Sequence, residues 1–190
     1  MKKLLAIVMA LLLAGGALAE GAFSLENGVT WGMTEGDVLA IEGTADTEFG
    51  TYGGFETLEV ENVAFRGHEA DVSYLFVNDA LLMAAYELDI EDVDPMALVR
   101  QLDGEYGDHV DDKGAAYYNF ISRLTGTLYT IQPQVSGIGV NWTLPDGTLA
   151  TLLTGLKKDD DDITVIYIDA GAASWNEDVA LSEPAPALED

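Results

Sequence analysis

Trp31-Gly32-Met33-Thr34-Glu35-Gly36-Asp37-Val38-Leu39-Ala40-Ile41-Glu42-Gly43 joins an apolar entry, a helix cap and a short amphipathic helix without a break. Thr34 suits the N-cap because its hydroxyl can accept a backbone N–H of the first turn, and Asp37, three residues on, nearly completes a capping box. The spacing predicts that Val38 and Ile41 face inward together and that Gly43 ends the helix in a left-handed C-cap. The stretch is a folding signal, not a chemical one.

Beyond it, Thr44 to Gly54 is rich in Gly, Thr and acidic residues and is predicted to be a loop. Phe55 to Glu61 alternates as a strand, followed by Val63-Ala64-Phe65 and a bend at Arg66-Gly67-His68. Ala70, Val72, Tyr74 and Phe76 define one face of the next strand. Asn78-Asp79 is a two-residue hairpin signal, and Leu82, Ala84, Tyr86 and Leu88 alternate on the return. Asp94-Pro95 places a cap and a first helical residue before Met96, Val99 and Leu102, and Gly107 stops this second helix.

Tyr117 to Tyr129 has the aromatic and β-branched content of a strand, interrupted by Arg123 and Gly126. Ile138, Val140 and Trp142 alternate up to the turn Pro145-Asp146-Gly147, and Thr148 to Leu153 returns. Lys157 to Asp162 is a charged turn before the β-branched strand Ile163 to Ile168. The order helix, strands, helix, strands predicts an α+β fold, an antiparallel sheet with two helices packed on one face. Two tandem αβββ units, at 29–90 and 93–170 within a domain at 20–170, would give that order. Residues 171–190 are acidic, with Ala, Ser and Pro and an isolated Trp175, and are expected to form a disordered tail.

At the other end, Met1-Lys2-Lys3 is basic, Leu4 to Leu13 is apolar, and Ala17-Leu18-Ala19 precedes Glu20 as a small-x-small cleavage site. Residues 1–19 thus have the form of a bacterial secretory signal peptide; their apolar core is shorter than the ~20 residues a membrane-spanning helix needs. The expectation is a released chain, secreted or periplasmic. With no cysteine there is neither a lipid attachment site nor a disulfide, so packing has to hold the fold.

The net charge is −26, and it becomes more negative when Lys2 and Lys3 leave with the leader. Nucleic acid is excluded as a partner on that ground, because phosphate binding needs a basic surface. The acidity fits solubility outside the cell, or attraction of cations and basic partners. A hydrophobic content of 48% argues against overall disorder.

Gly32-Met33-Thr34, then Val38 and Gly43, followed by strands, resembles the G-M-T-x-x-x-V-x-x-x-x-G signature of the small outer-membrane-assembly lipoproteins of the SmpA/OmlA type. Their fold is similar to that of β-lactamase inhibitor protein, a helix-and-sheet module that binds other proteins. The resemblance implies that fold and a protein-binding role. It covers residues 31–43 tightly and extends to Leu88 only in element order. The family's lipid-bearing Cys is absent, and Ala45 stands where a Pro often follows the glycine.

Candidate chemistry is sparse. His68 and His109 are the two histidines, and no H-E-x-x-H pattern joins them, so a solvated role outweighs a zinc site. Ser73 and Ser122 lack a G-x-S-x-G elbow. Asp159, Asp160, Asp161 and Asp162 gather hard oxygen ligands in one turn and are the best metal candidate, for calcium, although the spacing and glycine of an EF-hand are missing. Asp89, Glu91, Asp92 and Asp94 form a second acidic group, in which Asp94 is explained by capping. With 34 acidic residues a glycosidase-like carboxylate pair cannot be singled out. Trp31, Tyr117, Tyr118 and Trp142 are aromatic candidates for a contact surface, Trp142 by its alternation for the core. Asn141-Trp142-Thr143 matches a glycosylation sequon within a strand.

The expected function is a secreted, non-catalytic binding module for a protein or envelope component. The alternatives are a calcium-responsive extracellular domain and a carboxylate-based hydrolase.

Overall fold

Thr34 and Asp37 close the capping box in both directions. The Thr34 hydroxyl accepts from the Asp37 N–H at 3.2 Å and the Asp37 carboxylate accepts from the Thr34 N–H at 3.2 Å. Such caps are worth about 1 kcal/mol each. They start α1 (Glu35–Glu42), which ends at Gly43 with φ 90°, a backbone conformation that glycine alone adopts without strain. The computed structural model describes residues 23–52, 54–125, 137–155 and 162–169. The leader, the acidic tail and Asp159 to Asp161 lie outside them.

After α1 come β1 (Thr47–Tyr52), β2 (Phe55–Phe65), β3 (His68–Val77) and β4 (Ala80–Asp89). Then follow α2 (Pro95–Tyr106), β5 (Val110–Asp111), α3 (Ala115–Thr125), β6 (Gly139–Thr143), β7 (Leu149–Thr154) and β8 (Asp162–Ile168). The strands form one antiparallel sheet in the order β1-β2-β3-β4-β8-β7-β6-β5. The fold is α+β, as expected. Each helix-led block contributes four strands rather than three, and the last strands of the two blocks, β4 and β8, pair at the centre.

Alternation along the strands builds two cores. Val38 of α1 and Leu98, Val99 and Leu102 of α2 pack with Leu58, Tyr74, Ala84, Tyr167 and Leu152 on the first face. One register row on that face, Phe49, Leu58, Tyr74, Ala84, Tyr167, Ala150 and Trp142, crosses seven strands. Phe120, Ile121 and Leu124 of α3 cover Leu75, Met83, Ile166 and Leu153 on the opposite face. The arrangement expected from the sequence, helices on one face alone, is therefore corrected by α3.

The segment read as strand at Tyr117 is helical because Tyr117, Phe120, Ile121 and Leu124 recur at i, i+3, i+4 and i+7, which presents one stripe to the sheet. Asp112 starts the helix by accepting from the Gly114 and Ala116 N–H groups at 2.9 and 2.8 Å. Three smaller expectations also change. Ile41 is exposed, since α1 rolls its Val38 and Leu39 arc onto the sheet; Met96 is likewise exposed while Leu98 joins Val99 inside. Residues 47–52 form an edge strand rather than loop: β1 is held by backbone pairing to β2, which leaves no apolar alternation to read. A register shift opposite Leu75 and Phe76 sends Leu82 to the second core and puts Leu81 in its place on the first.

The two-residue turns behave as their chemistry dictates. Asn78 and Asp79 both have positive φ, 52° and 60°, and so do Arg66 and Gly67, 54° and 85°, the type I′ pattern that matches the twist of a hairpin. The chain entering α1 is stitched to the β3–β4 hairpin by Leu81 N–H to Met33 O at 2.8 Å and Gly32 N–H to Leu81 O at 3.1 Å. Among the described residues no helix is long and apolar enough to cross a membrane.

Candidate functional site

The most built polar site lies on the first face, between the C-terminal end of α1 and an irregularity in β2. The β2–β3 register shifts between Val60 and Val63, so Glu61 and Asn62 bulge outward, and Asn62 has φ 57°. The bulge is fixed by Asn62 N–H to the Asp71 carboxylate at 3.0 Å and by Glu61 N–H to Asp46 O at 3.1 Å. Bulges of this kind re-aim side chains next to sites. Here the result is a groove of about 540 Å³ whose lining includes Glu26, Glu42, Asp46 and Glu61, with Asn27, Asn62 and Tyr86.

Tyr74 on β3 joins the helix to the sheet beneath this groove. Its hydroxyl donates to the Glu42 carboxylate and accepts from the Asn27 amide at 2.9 Å, while Asn27 Nδ2 also donates to Glu42. Asn27 is held by Val29 N–H, which donates to its Oδ1 at 3.1 Å. Burial is the main reason the Tyr74 and Tyr86 phenols are pushed far above their ordinary range, and for Tyr74 the Glu42 carboxylate adds to it. Both keep their protons, and the Tyr74 hydroxyl is used within the fold, on Glu42 and Asn27, rather than for proton transfer.

Arg66 anchors the far side. Its guanidinium is within 3.0 Å of a Glu26 oxygen at Nε, off the hydrogen-bond direction, and 2.6 Å from Glu105. It also hydrogen-bonds the Tyr106 hydroxyl and lies over the Phe65 and Tyr106 rings at 5.8 Å. Desolvation works against its charge, but Tyr167, Tyr106 and Glu105 outweigh it and the guanidinium stays a fixed cation. Tyr106 and Tyr167 meet hydroxyl to hydroxyl at 3.1 Å, and burial raises both phenols. Arg66 thus spends its charge on Glu26 and Glu105, which leaves Glu42, Asp46 and Glu61 to set the groove's field.

Of the residues singled out in the sequence, Asp162 opens β8 opposite Asp89 of β4. Of the four aspartates at 159–162 it alone is described; Asp159, Asp160 and Asp161 lie outside the described residues. Asp89 accepts from Glu91 N–H at 2.8 Å and Asp94 caps α2 through Met96 N–H at 3.0 Å, local turn roles. Among the described residues no group of three His, Asp or Glu side chains is arranged to hold a metal.

His109 Nδ1 donates to the Asp103 carboxylate at 2.9 Å, and the Trp142 indole N–H donates to the same carboxylate at 3.1 Å. Desolvation acts upward on the Asp103 carboxyl, but the bonds from His109 and Trp142 outweigh it and hold it below its usual range. Asn141 is buried and its amide lies 3.4 Å from the Val110 carbonyl, so the sequon is part of the sheet. Trp142 is core, as alternation predicted. Trp31 and Phe23 stack at 5.8 Å over the first face.

The Tyr74, Asn27 and Glu42 constellation was not legible in the sequence. Its one signal was the pair Tyr74 and Tyr86 on an apolar strand face, where a buried hydroxyl demands a partner. Comparison with family models, with curated proteins and with solved structures finds no match to this chain.

Proposed function

We propose that the chain is an exported, non-catalytic binding module that recognises a protein or cell-envelope component through a cationic group. The observation that carries this reading is the groove between α1 and the β2 bulge, which Glu26, Glu42, Asp46 and Glu61 line together with Asn27, Asn62 and the edge of Tyr86. Carboxylates around a preformed groove supply charge attraction and hydrogen-bond acceptors for an ammonium or guanidinium group. The resemblance of residues 31–43 to a protein-binding family and the leader-like N-terminus agree with it.

The test is capture from the extracellular and envelope fractions by the immobilised chain, beside Glu61→Lys, which reverses a groove charge on an exposed bulge. A partner retained by the native chain and lost by Glu61→Lys supports the reading. Recovery of no partner, or equal recovery by both, overturns it.

A second reading, a calcium-responsive domain, is favoured by the pairing of Asp89 with Asp162, which sets two carboxylate-bearing residues side by side on β4 and β8. Calorimetry at millimolar calcium that shows neither heat nor a change in melting removes it.

A further inference from the structure

The two edges of the sheet are treated differently. At one edge β5 is only two residues long, Val110–Asp111, too short to template another strand. At the other, β1 runs six residues, Thr47–Tyr52, pairs with β2 without a bulge, and has no further strand beside it among the described residues. Its sequence TEFGTY contains no Lys, Arg or Pro, the residues that commonly protect an edge from pairing. Phe49 and Tyr52 are 60% and 48% exposed, although both are large and apolar in body. An open edge of this length presents unpaired backbone donors and acceptors to an incoming chain.

We propose that β1 is a docking edge for an extended, Lys- or Arg-bearing peptide segment, which adds as a further strand of the sheet. Alternation determines what such a strand meets. On the first face it lies beside Phe49, whose register row continues into Leu58 and Tyr74, so an apolar side chain fits there. On the second face it lies beside Glu48, the register partner of Glu59. Further in on that face, Glu59, Glu61, Asp71 and Glu87 line a depression of about 320 Å³ across β2, β3 and β4. The side chains turned to this face are therefore basic.

Gly50, in the middle of β1 on the same side, is covered by Thr57 of β2, whose hydroxyl would lie within 2.9 Å of a Cβ there. A second copy of this chain is the poorer occupant: each copy carries −26, and bringing two such edges together sets Glu48 and its acidic neighbours against another acidic surface.

The inference rests on the β1 edge and Glu48, neither of which belongs to the groove, and its test therefore varies Glu48 and not Glu61, which lines both depressions. The probe is an acetylated, amidated nine-residue peptide that alternates Lys with Val. Its controls are the same peptide N-methylated at alternate residues and a Glu-for-Lys counterpart. Titration into the full chain and into Glu48→Lys is followed by calorimetry, and hydrogen exchange reports protection of the β1 amides.

The expected result is binding of the Lys peptide with new protection at residues 47–52, no binding of the N-methylated or Glu peptides, and about tenfold weaker binding to Glu48→Lys. The proposal is overturned if the Lys peptide does not bind, if the N-methylated peptide binds equally well, or if Glu48→Lys makes no difference. It is also overturned if sedimentation shows the native chain to be a dimer whose β1 amides are protected from exchange without peptide, because a second copy then occupies the edge.

Discussion

The Trp31 indole N–H donates to the Thr148 hydroxyl at 2.8 Å, joining the approach to α1 with the β6–β7 turn 117 residues later. Thr148 is buried and passes the contact on, its hydroxyl donating to Asp146 at 3.1 Å, while the second Asp146 oxygen accepts from Thr148 N–H. Phe23 N–H reaches the same carboxylate at 2.8 Å. The leading segment therefore clasps the two helix-led blocks together across the first face.

Trp31→Phe keeps an aromatic ring near Phe23 but removes the donor. The expected loss is about 1–2 kcal/mol in urea unfolding, more than for a surface aromatic. Thr148→Val should lose a similar amount, and the double variant less than the sum of the two, since they break one contact. Additive losses would show that the clasp is not an energetic unit.

That clasp shows how the sequence could and could not be read. The Gly32, Met33 and Thr34 run was legible as an entry and a cap because capping is local, and the hairpin at Asn78-Asp79 was legible because a type I′ turn restricts its residues. Local rules do not reach Thr148, which Trp31 meets through the sheet. The edge strand β1 escaped because its exposed side chains need no apolar period, and α3 escaped because Tyr and Ile suit strands while their spacing suits a helix. At the groove, Tyr74 and Glu42 come from different elements, and only the fold brings them together.

Two glycines should respond oppositely to alanine. Gly139 opens β6 against the turn before α3, where a Cβ would lie 2.6 Å from Gly114 N and 2.7 Å from Lys113 Cα. That turn is bound to Gly139 O by the Asp112 and Lys113 N–H groups, at 3.2 and 2.9 Å, so it cannot yield cheaply. Gly139→Ala is expected to cost about 2–3 kcal/mol. Gly104 lies within α2 with open space around it, and Gly104→Ala should gain about 0.5–1 kcal/mol from helix propensity. Thermal unfolding of both variants checks the contrast, and equal shifts would contradict the packing described at Gly139.

Alkaline pH should unfold the domain through its tyrosines. Tyr74, Tyr86 and Tyr167 have phenols raised above the ordinary 10.0, chiefly by burial. A group whose folded pKa is raised contributes stability that is complete below its unfolded pKa and is lost as pH climbs toward the folded value. The unfolded chain releases these protons near pH 10 while the folded chain retains them, so stability falls from about pH 10 upward. Urea unfolding across that range should show the decline. Tyrosinate absorbance from these three residues should appear only with unfolding, and its appearance in the intact fold would contradict their burial.

Asp89 and Asp162 face one another across β4 and β8, and like charges directly opposite on antiparallel strands are unfavourable. Asp89→Asn keeps the oxygen that accepts from Glu91 N–H and removes one of the two charges. It is expected to stabilise the fold by about 0.5 kcal/mol at low ionic strength, with the gain shrinking as salt is added. Calcium separates two origins of that gain. If the pair is only a repulsion, calcium and an equal ionic strength of sodium act alike on the native chain. If Asp89 and Asp162 take the ion, millimolar calcium raises the native melting temperature beyond sodium's effect, and Asp89→Asn loses most of that rise. Identical calcium responses in the native chain and Asp89→Asn would leave Asp89 no part in any calcium site.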